Sequence, residues 1–293
     1  MKKTLIYIII TAIASTIAAD GKTVRRKLNI FKSSVPETET IVNGTMEFIY
    51  DYYYSIDTLD RIEDRWEEDQ MLLQIAPNGV SKFSSFKNIT VDSLLMSLSS
   101  EQIVDAAIDG KLSNGDFMTI FKNYPQGKLT HAEKVCEDWF KYEEELPELD
   151  WELSDSTIIV LGYECRKATC SFRGREWTAW YSEDIPVMNG PWKLGGLPGL
   201  IMKAYDRNKE YAFECVGINS HADRPITIYK VPFNNTTRAK FYDARHRYEV
   251  NPYAYAETVS GIHVTVSDEA GNEVMDAYDP IELSFDFIET DWR

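Results

Sequence analysis

Recognisable catalytic motifs are scarce in this chain. Its four histidines, His131, His221, His246 and His263, are scattered over 293 residues, with no HExxH pair and no two at metal-ligand spacing. Each is therefore expected on the surface, and no metal site or cofactor is called for. No Gly-x-Ser-x-Gly elbow is present, so a hydrolase would have to assemble Ser, His and Asp from distant strands. A phosphate loop is also absent, since no glycine-rich stretch ends in Lys followed by Ser or Thr. Positive charge is thin: 31 Lys and Arg stand against 47 Asp and Glu, a net charge of −16. Such a surface repels phosphate backbones and anionic lipid heads, which excludes nucleic acid as a partner.

The acidic residues form two runs, Glu63-Asp64 with Glu67-Glu68-Asp69, and Glu143-Glu144-Glu145. Neither has the spacing of a calcium loop, so both are expected to be solvated surface. Cysteine is sparse but even in number. Cys136, Cys165, Cys170 and Cys215 allow up to two disulfides in three pairings, or plain buried thiols. The Cys165 to Cys170 gap is not that of a redox pair or a zinc knuckle. The methionines after Met46, at positions 71, 96, 118, 188, 202 and 275, do not cluster as soft metal ligands would.

What the N-terminus does have is an export signal. Lys2 and Lys3 precede an apolar run from Leu5 to Ala14, and small residues end at Ile17-Ala18-Ala19. This order predicts a cleavable signal peptide over 1–19. Thr11, Ser15 and Thr16 make the run too polar for a span of about 20 apolar residues. No cysteine stands at the cleavage point to take lipid, so residues 20–293 are expected to fold as a single β-rich domain outside the cytoplasm, periplasmic or extracellular. Losing Lys2 and Lys3 leaves 29 basic residues against 47 acidic, a net charge of −18.

Period-two alternation dominates the rest. Met46, Phe48, Tyr50, Tyr52, Tyr54 and Ile56 share one face of a long strand, and shorter patterns recur at Met71/Leu73/Ile75, Trp177/Ala179/Tyr181, Ile262/Val264/Val266 and Ile281/Leu283/Phe285/Phe287. The fold class is mainly β with a few helices, a large curved antiparallel sheet or half-barrel. Between Asp92 and Gly110, Leu94, Leu95 and Leu98 point opposite to Ile103, Val104, Ala107 and Ile108 at 100° per residue. That predicts two short helices broken near Ser99, which with Gln102 makes a capping box. A third helix is expected from about Thr236 to Glu249, before Asn251-Pro252.

Identity is carried by the stretch from Trp151 to Asp206. It holds Gly162-Tyr163-Glu164-Cys165-Arg166, then Phe172-Arg173-Gly174-Arg175, Ala179-Trp180-Tyr181, Ile185-Pro186-Val187, Gly190-Pro191-Trp192-Lys193 and Gly196-Leu197-Pro198-Gly199-Leu200-Ile201. This run of motifs closely resembles the GLPGLI family, with weaker echoes back to Phe117 and forward to Leu283, and a family core at about 117–218. The resemblance implies export in a Gram-negative bacterium and assigns no chemistry. From the residues themselves, Gly174 suits a hairpin turn, and Pro198-Gly199 suits the centre of a type II turn. The glycines at 190, 195, 196 and 199 would also let a ligand approach the main chain. Trp177, Trp180, Tyr181 and Trp192 are expected in the core. Asp57-Thr58-Leu59 and Asp92-Ser93-Leu94 match a short O-glycosylation acceptor pattern.

These features favour a non-catalytic binding or chaperone-like envelope protein. Its strand pattern is similar to the half-barrel of periplasmic lipoprotein carriers, which implies a hydrophobic ligand, a peptide or an envelope protein as partner. The alternatives are a hydrolase with a dispersed site, a thiol oxidoreductase using Cys165 or Cys170, and a metal-handling protein.

Overall fold

The computed structural model describes residues 35–55, 66–260, 279–280, 282–283 and 285–293. The signal segment, Ile262/Val264/Val266, His263, Glu63-Asp64 and Asp57-Thr58-Leu59 lie outside the described residues. Strands come first: β1 (Thr38–Asn43), β2 (Met46–Ser55), β3 (Trp66–Ile75) and β4 (Ser81–Ser85). Helices α1 (Phe86–Ser97) and α2 (Ser100–Ile108) follow. The chain then runs through β5 (Thr119–Lys122), β6 (Lys128–Val135), β7 (Asp138–Glu145), β8 (Glu152–Val160), β9 (Tyr163–Phe172) and β10 (Arg175–Ser182). It closes with β11 (Leu200–Asp206), β12 (Tyr211–Asn219), β13 (Pro225–Tyr229), β14 (Phe233–Asn235), α3 (Arg238–Val250) and α4 (Pro252–Ser260).

Twelve strands make one open sheet in the order β14-β7-β6-β5-β4-β3-β2-β12-β11-β10-β9-β8, with β1 and β13 paired separately. Neighbours in the large sheet are antiparallel, save that β14 runs parallel to β7. The sheet is strongly curled. Nine strand spacings separate β7 from β9, which in a flat sheet would be roughly 40 Å. Yet Arg173, at the end of β9, reaches Glu144 on β7 at 2.5 Å. Register shifts in β10 at Trp180/Tyr181 and in β12 at Cys215/Gly217 supply local bends, as bulges do.

The curled halves enclose one aromatic core. Phe48, Tyr50 and Tyr52 of β2 meet Phe83, Trp177, Trp192 and Phe213 there. Tyr52 and Phe213 stack at 4.8 Å, and each such side chain removed from water contributes about 1.5–3 kcal/mol. Trp177, Tyr181 and Trp192 are buried as expected, with Trp180 half-buried at the margin.

The helical pair breaks where the sequence predicts. Ser99 N donates to Gln102 Oε1 and Gln102 N to Ser99 Oγ, the two bonds of a capping box. The first helix begins earlier than Asp92, because Ser85 Oγ accepts from Asn88 N and starts it at Phe86. Asn251-Pro252 ends α3 and also opens α4, with Asn251 Oδ1 accepting from Ala254 N and proline at the first helical position. Of the strand expected at 281–287, Ile281 and Ser284 lie outside the described residues. Leu283, Phe285 and Phe287 instead lie in an irregular segment packed beside α3.

Candidate functional site

Strand register builds the polar centre of the molecule. His131 and Glu133 sit two residues apart on β6, and His131 pairs across the sheet with Tyr142 of β7. Glu144 follows two residues after Tyr142, on the same side. The loop after β10 brings Lys193 down onto this row: its Nζ donates to Tyr142 Oη at 3.1 Å and to Glu144 Oε1 at 2.6 Å. Tyr142 Oη lies 3.1 Å from His131 Nδ1, and His131 Nε2 lies 2.8 Å from Glu133 Oε2.

These bonds fix the proton order. Tyr142 accepts from Lys193, so its own hydrogen goes to Nδ1, and the remaining ring proton sits on Nε2 and points at Glu133. A doubly protonated ring would place two donors against Tyr142. In agreement, burial first, then Lys193 and Arg245, hold His131 well below the usual histidine pKa. The sequence expectation of a surface histidine is thus wrong for His131, which is fully enclosed. His221 is exposed, and His246 packs against Phe287 and Trp292. No motif marks His131; the alternation of Leu129, His131 and Glu133 on a strand is the only signal the sequence carries.

Beyond Lys193 the row continues into a charge-balanced cluster. Glu289 receives Lys193 at 2.7 Å and Arg238 at 2.8 Å, while Arg173 bridges Glu144 and Glu289. Arg238 also reaches Asp291 at 2.6 Å. Lys193, Arg173 and Arg238 thereby face Glu144, Glu289 and Asp291. Burial with this degree of pairing is what makes enclosed ions tolerable. Among the described residues each acidic run is split: Glu143 and Glu145 are exposed while Glu144 turns inward, and Glu67 and Glu68 are exposed while Asp69 is buried. The expectation of wholly solvated runs fails for Glu144 because alternate strand residues change face, and for Asp69, which shares a face with Glu67, because it turns in to accept from Asp116 N and Gln70 N.

The other end of the row opens on a cleft. Arg245 of α3 pairs with Glu133 at the wall of a cavity of about 310 Å³ that includes Tyr52, Tyr54, Asp116, His131 and Tyr242. It continues into a second hollow of about 450 Å³ bounded by Glu67, Asp116, Cys136, Tyr248 and Glu249. The loop carrying Asp116 is pinned by Asp69, whose Oδ2 accepts from Asp116 N at 2.8 Å. Gly115 permits this approach, since a Cβ there would lie 2.1 Å from that oxygen. Among the described residues no group of three or more His, Cys, Asp or Glu could hold a metal ion.

The family-motif residues divide between turns, packing and the charge cluster. Arg173 (φ 54°) and Gly174 (φ 77°) form the expected two-residue hairpin between β9 and β10. Arg175 is buried and paired with Asp206 and Glu210. Pro198-Gly199 is not a type II turn, for the positive φ falls on Gly196. Gly199 is required instead by contact, as a Cβ would meet Ser182 O at 2.1 Å, and at Gly190 one would meet Ile201 at 2.8 Å. At Gly190 and Gly199 the loop's own neighbours occupy the space a ligand would need, whereas Gly196 has open space around it. Pro191, Leu197, Leu200 and Ile201 are buried, whereas Pro186 and Pro198 are exposed. Lys122 of β5 clamps the loop from below, donating to Asn189 Oδ1, Gly190 O and Leu194 O.

All four cysteines are free thiols, which corrects the disulfide expectation. Cys165 and Cys170 lie five residues apart on one strand, roughly 16 Å, far beyond the reach of a disulfide. Burial pushes the thiols of Cys165, Cys170 and Cys215 up to about 11, 12 and 12, so none is a thiolate nucleophile at neutral pH. Tyr163 O accepts from Cys165 Sγ.

Residues 123–241 match the family model described as N-glycanase peptide, N-terminal domain. That stretch takes in β6 to β14 and the first turn of α3, including His131, Glu133, Tyr142, Lys193 and Arg238. Two solved structures of PNGF-II, in P21 and C2 crystal forms, are similar at 15% and 16% identity. Each has a TM-score of 0.44, with 68% of this chain and 32% of that chain covered. The chain thus spans about a third of the length of those structures. No curated protein matches it. No helix among the described residues is long and apolar enough to cross a membrane.

Proposed function

We propose that this is an exported, non-catalytic binding protein of the Gram-negative envelope, of the GLPGLI type, whose cleft takes a hydroxyl-rich glycan segment. The observation that carries this reading is the cleft's chemistry. Glu67, Asp116, Glu133 and Glu249 supply acceptors, Arg245 supplies donors, and Tyr52, Tyr54, Tyr211 and Tyr242 supply rings. An apolar ligand would strip water from those carboxylates without replacing its hydrogen bonds, which weighs against the hydrophobic cargo inferred from strand pattern. An anion would meet an excess of carboxylates. Sugar hydroxyls satisfy the carboxylates, and sugar faces suit tyrosine rings. The match of residues 123–241 to a domain of an N-glycanase is consistent with a glycan-bearing ligand.

A second reading, a hydrolase with a dispersed site, is favoured by one feature: the neutral His131 and its partner Glu133 stand at the cleft wall. The two readings part in a single experiment. Purified residues 20–293 are incubated with oligosaccharides and glycopeptides and followed by native mass spectrometry. Binding of intact glycan, weakened at least tenfold by Tyr54→Ala, supports the binding reading; turnover of the glycan supports the hydrolase; neither binding nor turnover removes both.

A further inference from the structure

Residues 285–293 belong to no strand, yet the motif grips them at every step. Arg175 donates from Nη2 to Phe287 O at 2.8 Å and from Nε to Ile288 O at 3.1 Å. Tyr211 Oη donates to Asp286 O. Thr290 N donates to Arg173 O, and Thr290 Oγ1 donates to Gly174 O. Gly174 must lack a side chain for this, because a Cβ would fall 2.1 Å from Thr290 Oγ1. The carboxylate of Glu289, with no exposed surface, is enclosed by Lys193, Arg173 and Arg238. Phe287 and Ile288 are buried beside it.

This is the manner in which a folded domain holds an extended peptide: backbone carbonyls fix the register, and side-chain sockets give specificity. It differs from ladder pairing, where the backbone of a neighbouring strand would supply the bonds. We propose that the Arg173-Gly174-Arg175 hairpin, Lys193 and Arg238 form a binding site for a carboxylate-bearing peptide with flanking aromatics. Residues 285–293 fill it in cis, and the same segment supplied as a separate peptide fills it in trans. The charge match carries the choice of occupant: three cations converge on Glu289, and Glu144 with Asp291 balances only two of them, so an uncharged side chain there would leave one positive charge unmatched. The site is distinct from the cleft, although Phe285, Phe287 and Ile288 form part of the cleft wall, so it does not depend on what the cleft binds.

The test uses the chain with a specific protease site at the exposed Asp279-Pro280. After cleavage, a fluorescent peptide of residues 285–293 is added and bound label is measured by anisotropy and gel filtration. Exchange of the labelled peptide into the cleaved protein is expected, with at least a tenfold loss for the Glu289→Gln peptide. Equal binding of the two peptides, or no recapture by a body that stays folded by circular dichroism, would overturn the proposal. If cleavage unfolds the body, hydrogen exchange on the intact chain decides. Amides 287–290 should exchange at least tenfold faster than those of β6 and β7, whereas exchange only with global unfolding would overturn it.

Discussion

Lys193 Nζ stands 2.7 Å from Glu289 Oε1, and neither side chain reaches solvent. Removing one partner strands the other in a low-dielectric interior. Lys193→Met should destabilise the fold by about 3–5 kcal/mol, read as a drop in the urea midpoint. Adding Glu289→Gln should recover part of that loss, since the two side chains act as one unit. Strict additivity of the two changes would mean that the pair is not coupled.

His131 makes the fold sensitive to acid. Its folded pKa is depressed by burial, so below about pH 6.5 the unfolded chain takes up a proton that the folded chain refuses. Stability is therefore complete above that value and falls as the pH drops, by up to about 1.4 kcal/mol per unit. Urea midpoints at pH 7.0 and 5.0, compared with those of His131→Gln, isolate the histidine's share from that of the carboxylates. A variant with the wild-type slope would show that His131 takes up its proton equally in the folded and unfolded chain.

Glycine substitutions in the motif loop should separate contact from conformation. Gly199→Ala drives a methyl into Ser182 O and should cost about 3 kcal/mol or more. Gly196→Ala has open space around it and meets only its positive φ, so about 1 kcal/mol is expected. Thermal melts of the two variants settle the order, and a reversed order would contradict the contact described.

The thiols should be silent. A thiol reagent at neutral pH is expected to modify no more than Cys136, which is half-buried in the β6–β7 turn, until denaturant exposes the rest. Rapid labelling of Cys165 or Cys170 in the folded protein would revive thiol chemistry.

Much of the fold was legible in the sequence because its strands alternate cleanly. Met46 to Ser55, Met71 to Ile75 and Trp177 to Tyr181 appear as strands, and the Ser99/Gln102 capping box marks the helix break. Leu283, Phe285 and Phe287 alternate equally well but lie in irregular structure, where Arg175 and Tyr211 take the carbonyls of Phe287 and Asp286. The polar row was hidden for a different reason. His131, Tyr142, Lys193 and Glu289 come from four separate parts of the chain, and only strand register and loop closure bring them together. Acidic runs misled because composition counts charges, whereas strand alternation turns Glu144 inward and the loop at Asp116 covers Asp69.

The pair formed by Arg173 and Glu144 has a kinetic meaning. It joins strands that stand nine places apart in a sheet whose neighbours are mostly hairpins. Hairpins close early because their loops are short, whereas this contact waits until the whole sheet has been laid down and curled. Arg173→Ala should therefore speed unfolding and leave the folding rate nearly unchanged in a chevron plot. An equally slowed folding arm would mean that the two ends of the sheet meet before its middle is built.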